Sequence, residues 1–270
     1  DRFEVPKLLE IYGSTEGNIF LMNFDGKIGA VGRIPKYLEK QFGDVRIVKF
    51  DIAEEQPIRG DDDFCMKADW NESGELIGRI DDNGPSDFSG YQDKEATEKK
   101  ILRNVFEKGD AWFRSGDLMS RDRSGYIYFK DRIGDTFRWK GENVATNEVS
   151  EVLSQYPGIK TANVYGVEVP GNDGRPGMAS LTVAENFDIS GLQAFLAKEM
   201  PHYAVPLFIR IEPEAQTTGT FKYRKVELVE EGFDVAKVSD PIWFGKPGAQ
   251  GYEALTAAEH AKILSGEYRL

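Results

Sequence analysis

Threonine and glutamate stand side by side in IYGSTEGN, residues 11–18, just past the apolar run LLEIY. A hydroxyl and a carboxylate at the end of what reads as a buried strand look like half of a site, whose other half lies elsewhere in the chain. Three later stretches offer suitable groups. RSGDL, residues 114–118, holds Asp117. An aspartate in a turn after glycine is commonplace, yet a carboxylate can accept two hydrogen bonds from the vicinal hydroxyls of a ribose. TTGTFKYRK, residues 217–225, is either a surface loop with two lysines or a Gly/Thr loop that delivers one ammonium, Lys222, to a site. Beside a carboxylate–phosphate junction, that ammonium would offset charge developing in a transition state. DRIGDTFRWKGENV, residues 131–144, is either a solvated hairpin between two domains or a hinge at Gly134, where glycine can absorb a large backbone rotation. No GxxxxGK[ST] occurs, so the chain has no Walker phosphate loop.

Composition narrows the partners. A net charge of −12 over 270 residues opposes binding to a phosphate backbone, so nucleic acid is not an expected partner. Small anionic ligands stay open, because local donors can overcome a mean field. One cysteine, Cys65, excludes a disulfide framework and fits a reducing compartment. With only His202 and His260 beside it, a typical zinc site cannot be built. Hydrophobic residues at 40% and charged residues at 30% are those of a globular chain. No uncharged run is long enough to cross a bilayer and no signal peptide is present. The expected location is cytoplasmic, or peripheral on the cytoplasmic face of a membrane, and not secreted.

The elements that must position these groups form two domains. VRIVKFDI (45–52) and GELIGRI (74–80) read as strands of a β-rich subdomain, as do WFRSGDL (112–118) and YIYFKDR (126–132), with a turn between these last two. Residues 96–109 read as a helix, with Ile101, Leu102, Val105 and Phe106 on one face and Gly109 as its stop. After residue 132 the texture becomes α/β. Helices are expected at 146–156 and 190–200, the second capped by a Ser190…Gln193 box, and strands at 161–169, 178–183 and 206–212. From KVELVEEGFD onward the chain reads as irregular, with a short helix near 255–265. The fold class is therefore mixed α/β, with domains at 1–131 and 132–270.

Taken in order, YGSTEG, RSGDL, DRIGDTFRWKGENV and TTGTFKYRK resemble the later motifs of the adenylate-forming superfamily, which includes acyl-CoA synthetases, luciferases and peptide-synthetase adenylation domains. GDTFRWKGENVAT, YGVEVPG, GMAS, TTGTFK and the ending SGEYRL are similar to the fatty-acid transport protein / very-long-chain acyl-CoA synthetase branch. The resemblance covers essentially the whole chain and maps to the C-terminal part of such an enzyme. It implies part of the large AMP-binding domain, including a β-barrel-like subdomain, followed by a small mobile C-terminal domain.

The reaction implied joins a fatty acid to coenzyme A. The carboxylate attacks the α-phosphate of ATP to give acyl-AMP and pyrophosphate, magnesium assists, and the CoA thiol then displaces AMP. By resemblance, Thr15 binds the α-phosphate, Glu16 holds Mg²⁺, and Tyr12 and Gly13 line the adenine. Asp117 grips the ribose, Arg132 adds a ribose or phosphate contact, and Gly134 is the hinge. Gly141 lets the pantetheine arm pass. Lys222 serves adenylation, with Lys225 as the fallback because Gly219–Lys222 departs from the usual Ser-Gly-Lys. The family's glycine-rich phosphate loop, most of the acyl pocket and the membrane-associating N-terminal segment are not in this sequence, so the piece is expected to be inactive alone. Two alternatives are a CoA ligase for another acid (a bile acid, a carnitine-like acid or an aromatic one) and a silent nucleotide-binding module. Oligomeric state is unreadable.

Overall fold

The computed structural model describes residues 9–13, 19–35, 37, 45–80, 98–214 and 225–270. The chain divides into two compact units, Asp1–Ile133 and Gly134–Leu270. Among the described residues the first unit is built of strands, and the second mixes strand and helix. Among the described residues no helix is long and apolar enough to cross a membrane.

In the first unit, β1 (Glu10–Gly13) and β2 (Phe20–Asn23) form an antiparallel ribbon. A seven-stranded sheet contains β3 (Ala30–Arg33), β4 (Val45–Asp51), β5 (Gln56–Pro57), β6 (Gly74–Arg79), β7 (Ile101–Arg103), β8 (Ala111–Arg121) and β9 (Tyr126–Arg132). Its order is β3-β9-β8-β6-β4-β5, with β7 also on β8. The eleven-residue β8 is the spine. One of its edges pairs with β6; the other is shared, first by β7 and then by β9. Successive residues of β6 and β8 are buried in two separate clusters, Leu76, Phe113, Met119 and Ile127 in one and Ile77 and Trp112 in the other.

The helix expected at 96–109 is corrected from residue 101 on. Ile101–Arg103 extends to pair with Ala111–Phe113, and the following turn is closed by Asp110. That carboxylate accepts from the backbone N–H groups of Val105 (2.6 Å), Phe106 (3.0 Å) and Glu107 (3.3 Å) and from Trp112 Nε1 (2.8 Å). Burial by itself would raise its pKa, but these four donors hold it below the ordinary value. Of the apolar residues that suggested a helical face, Leu102, Val105 and Phe106 instead gather at Trp112, where Val105 is buried and Phe106 meets the indole edge-on at 5.1 Å.

The second unit opens with a hairpin of β10 (Phe137–Trp139) and β11 (Glu142–Val144), then α1 (Thr146–Leu153). Strands β12 (Ile159–Gly166), β13 (Gly177–Val183), β14 (Phe208–Ile211), β15 (Ile242–Phe244) and β16 (Glu253–Ala254) form a sheet in that order. Only β13 and β14 are parallel, joined by α2 (Ile189–Glu199) as a crossover must be. Val149 and Leu153 of α1 and Leu192 and Leu196 of α2 cover one face, on Val164, Leu181 and Ile209. The other face carries Met178, Phe208 and Phe244 and packs against Leu228 of α3 (Lys225–Glu231) and Ile263 of α4 (Ala257–Leu264).

Two local expectations change here. Asp188, not Ser190, caps α2, accepting from Ser190 N (3.0 Å) and Ser190 Oγ (2.7 Å); the carboxylate two residues earlier takes the free N–H. KVELVEE, read as irregular, is the helix α3, fixed by Leu228 and by its end residue Glu231, which pairs with buried Arg210. Leu181 is fully buried between the sheet and the first two helices. Leu181→Ala should cost about 2–5 kcal/mol in a urea-unfolding experiment, whereas a loss below about 1 kcal/mol would mean this core is loosely packed.

Candidate functional site

The sheet register explains how Asp117 comes to stand out from its strand. Ile77 pairs with Arg114 and Glu75 with Leu118, so one residue of β6, Leu76, faces three of β8: Ser115, Gly116 and Asp117. Extra residues on one strand bend it and re-aim its side chains. Gly116 takes φ +76°, a left-handed conformation that favours glycine. On the opposite edge the bulge coincides with the handover between β7 and β9, where Arg114 N–H donates to Lys100 O (2.8 Å) and Ile133 N–H to Gly116 O (3.0 Å).

Three side chains hold the bulge. Ser115 Oγ donates to Leu76 O at 2.6 Å and accepts from Asp117 N at 3.1 Å. The Glu75 carboxylate, buried beneath, accepts from the Gly116 backbone N–H and receives Arg114 Nε at 3.1 and 3.0 Å and Arg114 Nη2 at 2.9 Å. Glu75, Arg114 and Ser115 were not singled out from sequence. The available signal was an acid inside the apolar run GELIGRI, since a buried carboxylate needs a partner.

On the bulge, one oxygen of Asp117 accepts from the Tyr12 phenol at 2.5 Å. Its other oxygen lies 4.0 Å from Arg132 Nε, an ion pair without hydrogen-bond contact. The strand register sets this pair, because Asp117 and Arg132 are directly opposite on β8 and β9. Burial, and next the bond to Asp117, push the Tyr12 phenol well above its ordinary pKa of 10.0, so it stays a donor at neutral pH. Asp117 is mostly buried and Arg132 mostly exposed. A carboxylate steadied on one side, with a guanidinium beside its other oxygen, can accept hydrogen bonds from a neighbouring pair of hydroxyls. Gly13 ends β1 with ordinary room for a Cβ, so packing alone does not require glycine there.

In the second unit, Gly141 and Lys140 form the two-residue turn between β10 and β11, with φ +84° and +52°, the positive pair that tight hairpins favour. A Cβ at 141 would meet nothing within 4 Å, so the turn explains the glycine. The hairpin is braced by Arg175 N–H donating to Arg138 O at 2.7 Å. Gly134 has neither positive φ nor a close neighbour. Lys225 Nζ donates to Asp135 Oδ2 at 2.9 Å and Thr146 Oγ1 at 3.0 Å. Thr15, Glu16 and Lys222 lie outside the described residues. Among the described residues no group of three His, Cys, Asp or Glu could hold a metal. The structure thus brings together Tyr12, Asp117 and Arg132 in one unit, and places Gly134, Gly141 and Lys225 in the other.

The chain matches no protein-family model. It is 44% identical over 273 residues to long-chain fatty acid transport protein 6 of Mus musculus, covering all of this chain and 44% of that protein. To long-chain fatty acid transport protein 2 of Rattus norvegicus it is 44% identical over 272 residues, covering all of this chain and 43% of the relative. The chain therefore spans less than half the length of these relatives. Among solved structures, ATP-bound MatB from Rhodopseudomonas palustris superposes with a TM-score of 0.65 at 22% identity, over 84% of this chain and 41% of that one. O-succinylbenzoate coenzyme A synthetase from Bacillus subtilis in complex with AMP gives 0.61 at 21%, over 82% and 40%. These likenesses establish the fold.

Burial, ahead of the opposing Arg114 bond, raises the Glu75 carboxyl above its ordinary 4.5. A raised folded pKa contributes stability that is full below the unfolded value and declines as pH rises through the folded one. Urea unfolding of the wild type and Glu75→Gln from about pH 4 to about pH 8 should show the wild type's relative stability greatest at the acid end and falling upward. A relative stability that grew with pH would mean that the pull of Arg114 exceeds the desolvation of Glu75.

Proposed function

We propose, from the premise that this chain belongs to the long-chain fatty acid transport protein branch of the adenylate-forming enzymes, that it is part of an ATP-dependent ligase joining long-chain or very-long-chain fatty acids to coenzyme A. The observation that carries the reading is the extruded Asp117, steadied by Tyr12 and flanked by Arg132. A ribose diol would donate to the carboxylate while Arg132 offsets its charge and reaches a sugar or phosphate oxygen. The Tyr12 ring lies beside the same carboxylate, where an adenosine bound through its sugar would place its base near β1.

The roles outside the described residues are assigned by motif. Thr15 donates to the α-phosphate, and Glu16 is the carboxylate that would hold magnesium, an oxygen-seeking cation that neutralises charge on the triphosphate. Lys222 stabilises the charge that builds as the fatty carboxylate attacks phosphorus. The second step needs different neighbours, because a thiol attacks a carbonyl carbon and AMP leaves. Rotation at Gly134 would exchange the Lys222 segment for the β10–β11 turn, whose Gly141 backbone lets the pantetheine arm pass. Location at a membrane surface suits an acid that arrives in lipid, and conversion to a CoA ester would trap it.

The test uses the full-length protein that carries this chain. Pyrophosphate release should require ATP and a fatty acid, rise through long chain lengths and precede CoA. Asp117→Ala should raise the KM for ATP about 10- to 100-fold, as expected for losing a charged hydrogen-bond pair. Activity confined to short, aromatic or bile acids would replace the substrate class. An Asp117→Ala protein with unchanged KM would remove the ribose assignment.

A further inference from the structure

Lys225 opens α3 and spends its ammonium inside its own unit. Its partners come from distant parts of the sequence. Asp135 follows Gly134 directly, at the start of the unit, and Thr146 is the first residue of α1. Thr146 is 1% exposed, so its hydroxyl is fixed by packing. Lys225 and Asp135 are 25% and 31% exposed, which shields the pair from much of the solvent screening that weakens surface ion pairs.

The other end of α3 is also tied by charge. Glu231, its last residue, pairs with Arg210 on β14, which is 4% exposed and also holds Asp240 Oδ2 at 2.7 Å. A seven-residue helix does not stand alone in water. This one is pinned at its first residue by Lys225, at its centre by Leu228 and at its last residue by Glu231.

We infer that the Lys225–Asp135–Thr146 cluster is a positioning device that fixes where the chain bearing Lys222 joins the unit, and that Lys225 itself does not act on substrate. The inference rests on the ligase reading above. Its geometric core is chain connectivity. Three peptide steps separate 222 from 225, so the two Cα atoms stay within about 11 Å of each other whatever path the chain takes. Anchoring Lys225 to the residue next to Gly134 therefore sets the radius available to Lys222 from the same end of the unit. An ammonium with two of its three donors already directed at Asp135 and Thr146 is poorly placed to serve as the chemical cation.

Four variants of the full-length protein test this: Lys225→Met, Asp135→Asn, these two combined, and the exchange Lys225→Asp with Asp135→Lys. Acyl-adenylate formation is followed by pyrophosphate release, and thioester formation separately from supplied acyl-adenylate. A positioning role predicts a kcat for adenylation lowered about 10-fold by either single change and no further by both together, with KM for ATP within about 2-fold. The exchange should recover part of the loss, and thioester formation should stay within about 2-fold. Equal losses in both half-reactions, or additive losses, would reduce the cluster to ordinary stability and overturn the role. Lys225→Met abolishing adenylation while Lys222→Ala leaves it intact would make Lys225 the chemical cation and also overturn it. A wild-type protein that forms no acyl-adenylate with any fatty acid brings down the ligase reading, and this role with it; normal adenylation in all four variants brings down this role alone.

Discussion

The first unit turns on one register constraint: three residues of β8 must fit opposite one residue of β6. A regular pairing would send Ser115, Gly116 and Asp117 alternately above and below the sheet and leave Asp117 one side chain among many. The bulge instead gathers them, and Gly116 supplies the left-handed step that makes it possible. Every other feature of the site is a response to that geometry. Ser115 returns a hydrogen bond to the lone facing carbonyl, Glu75 takes the N–H that the bulge removes from the ladder, and Tyr12 meets the carboxylate that the bulge presents.

A buried acid is an expensive way to hold a loop. Glu75 loses its hydration, and Arg114 returns only part of that energy, which is why the carboxyl resists ionisation. The arrangement makes sense as orientation more than as stability. An apolar residue at 75 could fill the space but could not accept the Gly116 N–H or aim Arg114. The second unit places the same chemistry differently. Arg210 is as buried, yet its partners come from the residue after β14, from α3 and from the loop before β15, so its charge joins elements instead of shaping one turn.

What could be read from sequence follows the range of the interaction involved. Strands β4, β6, β8, β9, β12 and β13, and helices α1 and α2, carry their periodicity within a few residues of themselves. Residues 101–109 misled because Ile101, Leu102, Val105 and Phe106 have helical spacing and equally suit a short edge strand followed by a turn over Trp112; the deciding partner, β8, lies beyond the window. The cap of α2 was misassigned by two residues because Asp188 and Ser190 are both good caps, and only the backbone shows which one is outside the helix. Asp117 was legible as a carboxylate after glycine in the company of other motifs. The bulge was not, since it depends on a register with residues about forty positions earlier. The bond from Tyr12 spans 105 positions and left no local trace.

The point where the first unit ends has its own logic. Arg132 faces Asp117, and the Ile133 N–H donates to Gly116 O, so the chain is fastened to the bulge through its last residue in that unit. At Gly134 the fastening stops: no positive φ, and no atom within 4 Å of where a Cβ would be. At Asp135 it resumes, through Lys225. Gly134 itself lies in the turn over residues 133–135, with open space where a side chain would stand. Rotation there would leave the Asp117–Arg132 pair undisturbed, because both of its strands are locked together on the near side. A hinge one residue earlier would have to break the Ile133–Gly116 bond and loosen the aspartate. One residue later, it would strain the Asp135–Lys225 tie. The hinge proposed at Gly134 would therefore turn the backbone without breaking the ties that steady Asp117.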